Sequence, residues 1–534
     1  MRKLVVGKAF ILWCLLMVTS WQMMAQVPLR SEFGAAGRNR IALDDYNQSM
    51  DMVVQPDGKA ILLSASGHID VFFDQDVTLS RYTGDGQLDP TFGTNGVLKV
   101  DFKGMDHSQG IRLRQLPDGS LLVMGSTYRW SNTLYQPIGL LKVTPDGQVD
   151  TNFGDEGTKI LDFYRVQEFP TTLRTDPSGR IYVGGASLDT LHGLLDAISI
   201  GRLSANGDVD STFGQTGRVV LVPDSGIYSF RHEQGGIMDD LLVLPNGQLL
   251  VMGATADEDV LNSFFQLLNE DGTIDSLTWG VKRIRLNLSD DFNDRGLSME
   301  MMPNGEIAFG ARIFSSEGRD FILGRFDPSN GSFKTTTLDF GGQHDLLNDL
   351  TLTANGGLVA VGETIEPQNV SSIYKSDNFA IAYYPDFSNW DEIIQEQVRF
   401  QEGYQGGGQA VAVVEDRDLI VSGFTYTDTP GNIDIAQFSW RLTDLVDPTP
   451  TVDVPLILLE ADYINGGMNL IYGGTETGTF ELSVYDMTGR QVFHSGSVTP
   501  GELRFNRDEM APGAYLAVLY QGDAKRAEQK FILF

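Results

Sequence analysis

The chain has 534 residues, enough for two to four domains or for one large β architecture with a small module beside it. Hydrophobic residues make up 41% and charged residues 21%, a globular composition, and 59 glycines, against a usual share of about 7%, point to many tight turns between short strands. With 71 acids against 39 bases the net charge is −32, which argues against nucleic acid or an acidic membrane surface as partner, and a single cysteine excludes disulfides, zinc-thiolate sites and iron–sulfur clusters.

The N-terminus carries Arg2, Lys3 and Lys8, then an apolar stretch from Ala9 to Val18, then small and polar residues up to Ala25–Gln26. Ten apolar residues are too few to span a bilayer as a helix. The pattern reads as a secretory signal peptide over residues 1–25, with an uncleaved anchor as the alternative. Cys14 follows Ile11, Leu12 and Trp13, which is not a lipidation context. No other apolar run reaches 18 residues, so no transmembrane segment is expected in the mature chain.

From residue 56 onward one unit recurs. Pro56-Asp57-Gly58, Pro117-Asp118-Gly119, Pro177-Ser178-Gly179, Pro245-Asn246-Gly247, Pro303-Asn304-Gly305 and Asn355-Gly356 each precede a short apolar strand, and Asp416-Arg417 is a degenerate seventh copy. Proline presets φ, Asp or Asn bonds its own backbone, and glycine supplies the positive φ of a tight hairpin. A second hairpin follows, clearest at Leu79 to Gly96, Leu140 to Gly157 and Ile200 to Gly217. It ends in Leu88-Asp89…Phe92-Gly93…Gly96, Val149-Asp150…Phe153-Gly154…Gly157 and Val209-Asp210…Phe213-Gly214…Gly217. Here Asp reads as a turn-bonding residue and Phe as a core anchor. Four short strands in about 60 residues, repeated radially, make a β-propeller blade. Ser31-Glu32-Phe33-Gly34…Gly37 matches the end of a unit with nothing before it, and the seventh unit stops at Ile435 to Trp440. The N-terminal strand is therefore expected to complete the last blade, which would remove two unpaired sheet edges.

The motifs Pro-Asp-Gly-x-x-Ile/Leu and Leu-Asp-x-x-Phe-Gly-x-x-Gly resemble the delta-60 repeat, a propeller-forming repeat of bacterial secreted proteins. The resemblance spans about residues 30–442, strongly in the first three units, and implies a fold without an activity.

Asp447-Pro448-Thr449-Pro450-Thr451 lies in a stiff Pro/Thr linker, residues 446–455. The remaining residues, 456–534, have the strand pattern of a small all-β sandwich, with a turn at Met487-Thr488-Gly489-Arg490. This tail resembles the C-terminal sorting domain of type IX secretion cargo. The matching pieces are Val484 to Val492 including Gly489 and Arg490, then Ala511-Pro512-Gly513-Ala514-Tyr515, then the ending Lys530-Phe531-Ile532-Leu533-Phe534. The usual Pro-Asn-Pro start is missing, and a generic Ig-like adhesion module is the alternative. The resemblance implies the type IX machinery as a partner and a final location at the surface of a Gram-negative cell or outside it.

The expected fold is thus all-β: a seven-bladed β-propeller over residues 26–445, closed by its N-terminal strand, followed by a small Ig-like β-sandwich. Chemistry is sparse. No Gly-x-Ser-x-Gly, His-Glu-x-x-His, P-loop or dinucleotide fingerprint occurs, the six histidines are scattered, and no cofactor or metal is expected. Asn269 to Asp275 is the nearest calcium-like turn, yet Asp and Gly suit such turns for backbone reasons alone. Acids placed on the loops of one propeller face include Asp44-Asp45, Asp106-His107, His232-Glu233, Asp239-Asp240, Asp290-Asp291, Asp294 and His344-Asp345, with Gly406 to Gly408 nearby. They could ring a channel or be solvated loops. Tyr128, Arg129, Trp130 and Tyr135, in a loop from Thr127 to Gln136, are candidates for stacking on sugars or for a protein hot spot, unless they pack under their own loop. The first functional reading is a ligand-binding module for an extracellular glycan or protein. The alternative is a glycan-cleaving hydrolase or lyase with channel carboxylates. A purely structural surface protein is the third.

Overall fold

The computed structural model describes residues 29–67, 75–129, 136–162, 168–189, 194–221, 237–257, 260–288, 294–314, 319–340, 344–365, 378–387, 393–398, 406–426 and 433–442, and in the C-terminal part 456–460, 467–473, 480–486, 490–498, 501–506, 513–521 and 524–533. The chain divides into two compact units, Met1–Val446 and Asp447–Phe534.

In the first unit a short strand, β1 (Arg38–Ile41), precedes a series of antiparallel groups. The first group is β2 (Tyr46–Val54), β3 (Ala60–Gly67), β4 (Gln75–Tyr82) and β5 (Val97–Val100). The second is β6 (His107–Gln115), β7 (Leu121–Tyr128), β8 (Ile138–Val143) and β9 (Thr158–Leu161). Then come β10 (Glu168–Thr175), β11 (Ile181–Asp189), β12 (Leu194–Leu203) and β13 (Arg218–Leu221), followed by β14 (Ile237–Val243), β15 (Leu249–Asp257), β16 (Val260–Leu268) and β17 (Arg283–Arg285). The series continues with β18 (Asp294–Met301), β19 (Ile307–Phe314), β20 (Arg319–Asp327) and β21 (Ser332–Leu338), then β22 (His344–Leu352), β23 (Leu358–Ile365), β24 (Asn378–Tyr384) and β25 (Ile394–Val398). It ends with β26 (Gly406–Val414), β27 (Asp418–Tyr426) and β28 (Ile433–Arg441), and β28 pairs antiparallel with β1, Arg38 opposite Phe438 and Ile41 opposite Ile435.

Local chemistry explains the hairpins. The turn glycines Gly58, Gly119, Gly179, Gly247, Gly305 and Gly356 all have φ between +79° and +87°, a region closed to most side chains. The seventh turn lacks the glycine, and there Glu415 and Asp416 take positive φ instead. In the closing motifs Asp89, Asp150 and Asp210 each accept the backbone N–H two residues on, at 3.0, 3.1 and 3.0 Å. They also pair with a base from the third strand: Arg81 at 2.9 Å, Lys142 at 3.4 Å and Arg202 at 2.8 Å.

The first strands of successive groups lie side by side, β2 beside β6, β6 beside β10, and so on to β26, which adjoins β2. The core lies between consecutive groups. Ile61, Leu63 and Leu79 of one group pack with Leu113, Leu121 and Val123 of the next, all fully buried. Phe92, Phe153 and Phe213 are each at most 2% exposed and sit beneath the second-hairpin turn of the following group: a Cβ on Gly147, Gly207 or Gly272 would come within about 3 Å of the corresponding ring. Phe33 stands in the same relation to Gly86.

In the second unit, β29 (Leu456–Glu460), β30 (Gly467–Gly473), β31 (Phe480–Asp486), β32 (Gln491–Val498), β33 (Gly501–Asn506), β34 (Gly513–Gln521) and β35 (Ala524–Leu533) form two antiparallel sheets, ordered β29-β30-β33 and β32-β31-β34-β35.

Candidate functional site

Each first strand carries a register shift at the same place. The shifts fall between Ser49 and Asp51, Gly110 and Arg112, Pro170 and Thr172, Met238 and Asp240, Gly296 and Ser298, Leu347 and Asp349, and Gly408 and Ala410. An extra residue in one strand bends it and re-aims the side chains that follow. Asp51, Arg112, Asp240, Ser298 and Asp349, each the first residue after a shift, line one cavity of about 110 Å³, which Arg114, Arg174, Glu300 and Gln409 share. Residues from all seven of these first strands contribute to its wall.

Three aspartates in this wall make the same connection. Asp51 accepts the N–H of Met52 at 2.8 Å and that of Leu113, on the next group, at 2.8 Å. Asp240 accepts from Leu241 at 2.8 Å and from Met299 at 2.9 Å. Asp349 accepts from Leu350 at 2.9 Å and from Val411 at 3.0 Å. Each carboxylate thereby satisfies a backbone donor of the neighbouring group. Asp240 also accepts from Thr172 Oγ1 at 2.7 Å and from Arg174 Nη2 at 2.6 Å, while Arg114 Nη1 donates to Asp51 Oδ2 at 3.1 Å.

The electrostatics follow from crowding charges into a narrow space. Burial opposes the Arg174 charge, but Asp240 and Glu300, the latter 3.8 Å away, more than offset it and leave its pKa raised. Arg114 is lowered, by burial and then by Arg174. Glu300 is raised by burial, against the pull of Arg174 and Arg114. Asp349 is pushed up to about 7, first by burial and then by the Asp51 charge. Ligand pockets occupy roughly 300–1,000 Å³. A space of about 110 Å³ holds a few waters or a small ion, not a sugar ring.

This cavity was not found by reading the sequence, although a signal exists there. Asp51, Arg112, Thr172, Asp240, Ser298 and Asp349 each stand seven residues before a turn glycine, a polar residue recurring within strands. Several residues expected on loops prove to be strand residues: Asp239 and Asp240 belong to β14, Asp294 to β18, His344 and Asp345 to β22, His107 to β6, and Gly406 to Gly408 to β26. Polar residues are tolerated there because they bond backbone donors. Asp294 accepts from Ser263 and Leu288, and Asp345 from Phe340 at 2.8 Å. Asp271 in the calcium-like turn accepts the N–H of Thr273 at 2.9 Å. His232, Glu233, Asp290 and Asp291 lie outside the described residues.

Of the aromatic candidates, Tyr128 ends β7 and is 9% exposed, stacked on His107 with ring centroids 4.4 Å apart. Arg129 is exposed, and Trp130 and Tyr135 lie outside the described residues. In the tail, Arg490 is exposed and its Nε donates to Asp486 Oδ2 at 3.1 Å across the start of β32. Gly513 and Tyr515 fall in β34 and Lys530 in β35, while Gly489 lies outside the described residues.

Residues 116–153 match a family described as a domain of unknown function (DUF5122) beta-propeller. No curated protein matches the chain. Among solved structures it is similar to an ulvan lyase of polysaccharide lyase family PL25 bound to a ligand (10% identity, 77% of this chain and 97% of that one, TM-score 0.44). It is also similar to the phage phi92 endosialidase (11%, 93% and 87%, TM-score 0.42) and to Drosophila semaphorin 2a (8%, 94% and 98%, TM-score 0.42). With its all-β groups in series and that family match, the chain is a β-propeller protein.

Proposed function

We propose that this protein is an exported interaction module: a closed seven-bladed β-propeller displayed at or beyond the cell surface, with a C-terminal Ig-like sandwich as its type IX sorting domain. The pairing of β1 with β28 and the adjacency of β26 and β2 support closure. The observation that carries the binding reading is the state of the channel. Its aspartates are engaged in bonds between neighbouring groups, and only about 110 Å³ is left open. That small space supports placing a macromolecular ligand on the faces, where loops on a rigid scaffold carry function.

The test is a glycan array and a panel of extracellular matrix and envelope proteins, probed with the full chain. Saturable binding that survives E300Q supports a face site. The glycan-cleaving alternative draws on one observation: Glu300 and Asp349, both raised, face the same cavity. Release of unsaturated or reducing ends from a polysaccharide, lost in E300Q and in D349N, would establish that alternative and overturn the module reading.

A further inference from the structure

We propose that Asp320, Asp339 and Asp345 form a calcium site that fastens one blade to the next. Carboxylate oxygens of these three residues lie within 4.8 Å of one another. Oxygens bound to one calcium ion at about 2.3–2.6 Å can be at most about 4.6–5.2 Å apart. No pair of the three is therefore too far apart to share one calcium ion. Magnesium, with bonds of about 2.0–2.1 Å in strict octahedral geometry, needs a tighter set.

The second observation is an idle oxygen. Asp345 is fully buried, its Oδ2 accepts the Phe340 N–H at 2.8 Å, and its Oδ1 has no hydrogen-bond partner. Asp294 occupies the same register in the preceding first strand, eleven residues before its turn glycine, and uses both oxygens, one for Ser263 and one for Leu288. A buried carboxylate oxygen left without a donor costs free energy unless a cation meets it. Asp339 and Asp320, the two carboxylates beside Asp345, carry charge of its own sign. A divalent ion reverses that repulsion and leaves the cluster with one net negative charge.

The location gives the ion a task. Asp320 lies in β20, Asp339 directly follows β21, and Asp345 lies in β22, the first strand of the next group. The two groups meet here through a single parallel pair, Arg319 opposite His344. An ion held by all three carboxylates, with water completing its coordination, joins the groups beside that pair.

The experiment uses the full chain, stripped with a chelator and titrated with calcium chloride over roughly 0.1 μM to 10 mM, the span of sensor and extracellular sites. Calorimetry reads the affinity and thermal unfolding reads the coupling. Wild type should bind one calcium that is lost, or weakened at least about tenfold, in both D345N and D339N, with a melting rise on the order of 3 °C at saturation. Asp339 is exposed, so D339N folds even if D345N does not. Magnesium should give the smaller rise. No calcium binding by wild type, or undiminished binding in D339N, overturns the site. An equal response to magnesium overturns its assignment to calcium.

Discussion

Three charged side chains, Asp51, Asp240 and Asp349, act as connectors between neighbouring groups. Asp240 holds two backbone N–H groups, a threonine hydroxyl and Arg174 while only 5% exposed. Removing one member of such a set leaves the others buried and unpaired, so Asp240→Ala should lower stability by about 3–5 kcal/mol in equilibrium urea unfolding. A loss under about 1 kcal/mol would refute the connector role. Asp349 makes a different prediction. Its carboxyl titrates at about 7 in the folded protein, against 3.8 ordinarily. The folded state thus binds a proton that the unfolded chain has released, and stability falls as pH rises through that window. Asp349→Asn removes the dependence. The stability of D349N relative to wild type should therefore improve steadily between about pH 4 and pH 7, and a difference flat in pH would contradict the shift.

A strand hairpin becomes a propeller element through its closing motif. Phe92, Phe153 and Phe213 are enclosed equivalents, and the Arg81 and Arg202 guanidiniums lie over the Phe92 and Phe213 rings at 4.9 and 4.7 Å. Replacing any of the three phenylalanines with alanine should cost about 3–5 kcal/mol, read from denaturant midpoints. The turn above each ring is constrained as tightly. Gly147 has φ +84°, and a Cβ there would lie 2.9 Å from the Phe92 ring and 2.5 Å from the Gly93 nitrogen. Gly147→Ala should destabilise by more than about 1 kcal/mol. Gly84→Ala, at a turn position with nothing within 4 Å, should stay within about 0.5 kcal/mol. Equal effects at the two glycines would show that the ring and turn do not interlock.

At the scale of the molecule, the proposed closure depends on the N-terminal segment, whose β1 pairs with β28. The Gly34 N–H donates to Asp85 O at 2.8 Å, as Gly93 does to Asp146 at 2.9 Å and Gly214 to Asp271 at 2.8 Å. If Phe33 closes the ring as Phe92 joins its interior groups, Phe33→Ala should cost as much as Phe92→Ala. Deleting residues 26–41 should expose the β28 edge and cause association, seen by light scattering. A monomeric, undiminished truncation would mean that the segment is ornamental. For export, residues 26–446 and the full chain are to be compared in a host with a type IX system. Only the full chain should reach the surface, as judged by protease shaving. Equal display of both would make the tail an accessory domain.

Much of this architecture was legible from local chemistry. Turn glycines, the Asp-x-x-Phe-Gly motif and the orphan motif at Phe33 each depend on backbone geometry within a few residues, so they leave a pattern in sequence. The pairing of β1 with β28 could be anticipated because a split repeat has a missing half. The channel could not be read in this way. Asp51, Asp240 and Asp349 look like polar interruptions of apolar strands, and only the register shift and the neighbouring group reveal the N–H groups they satisfy. Asp320, Asp339 and Asp345 are as far as 25 residues apart, in or beside strands of two groups, and nothing local marks them as neighbours. Turns are decided within the chain's own reach. Cavities and ion sites are decided by which strands the fold sets side by side, and tertiary packing alone chose those.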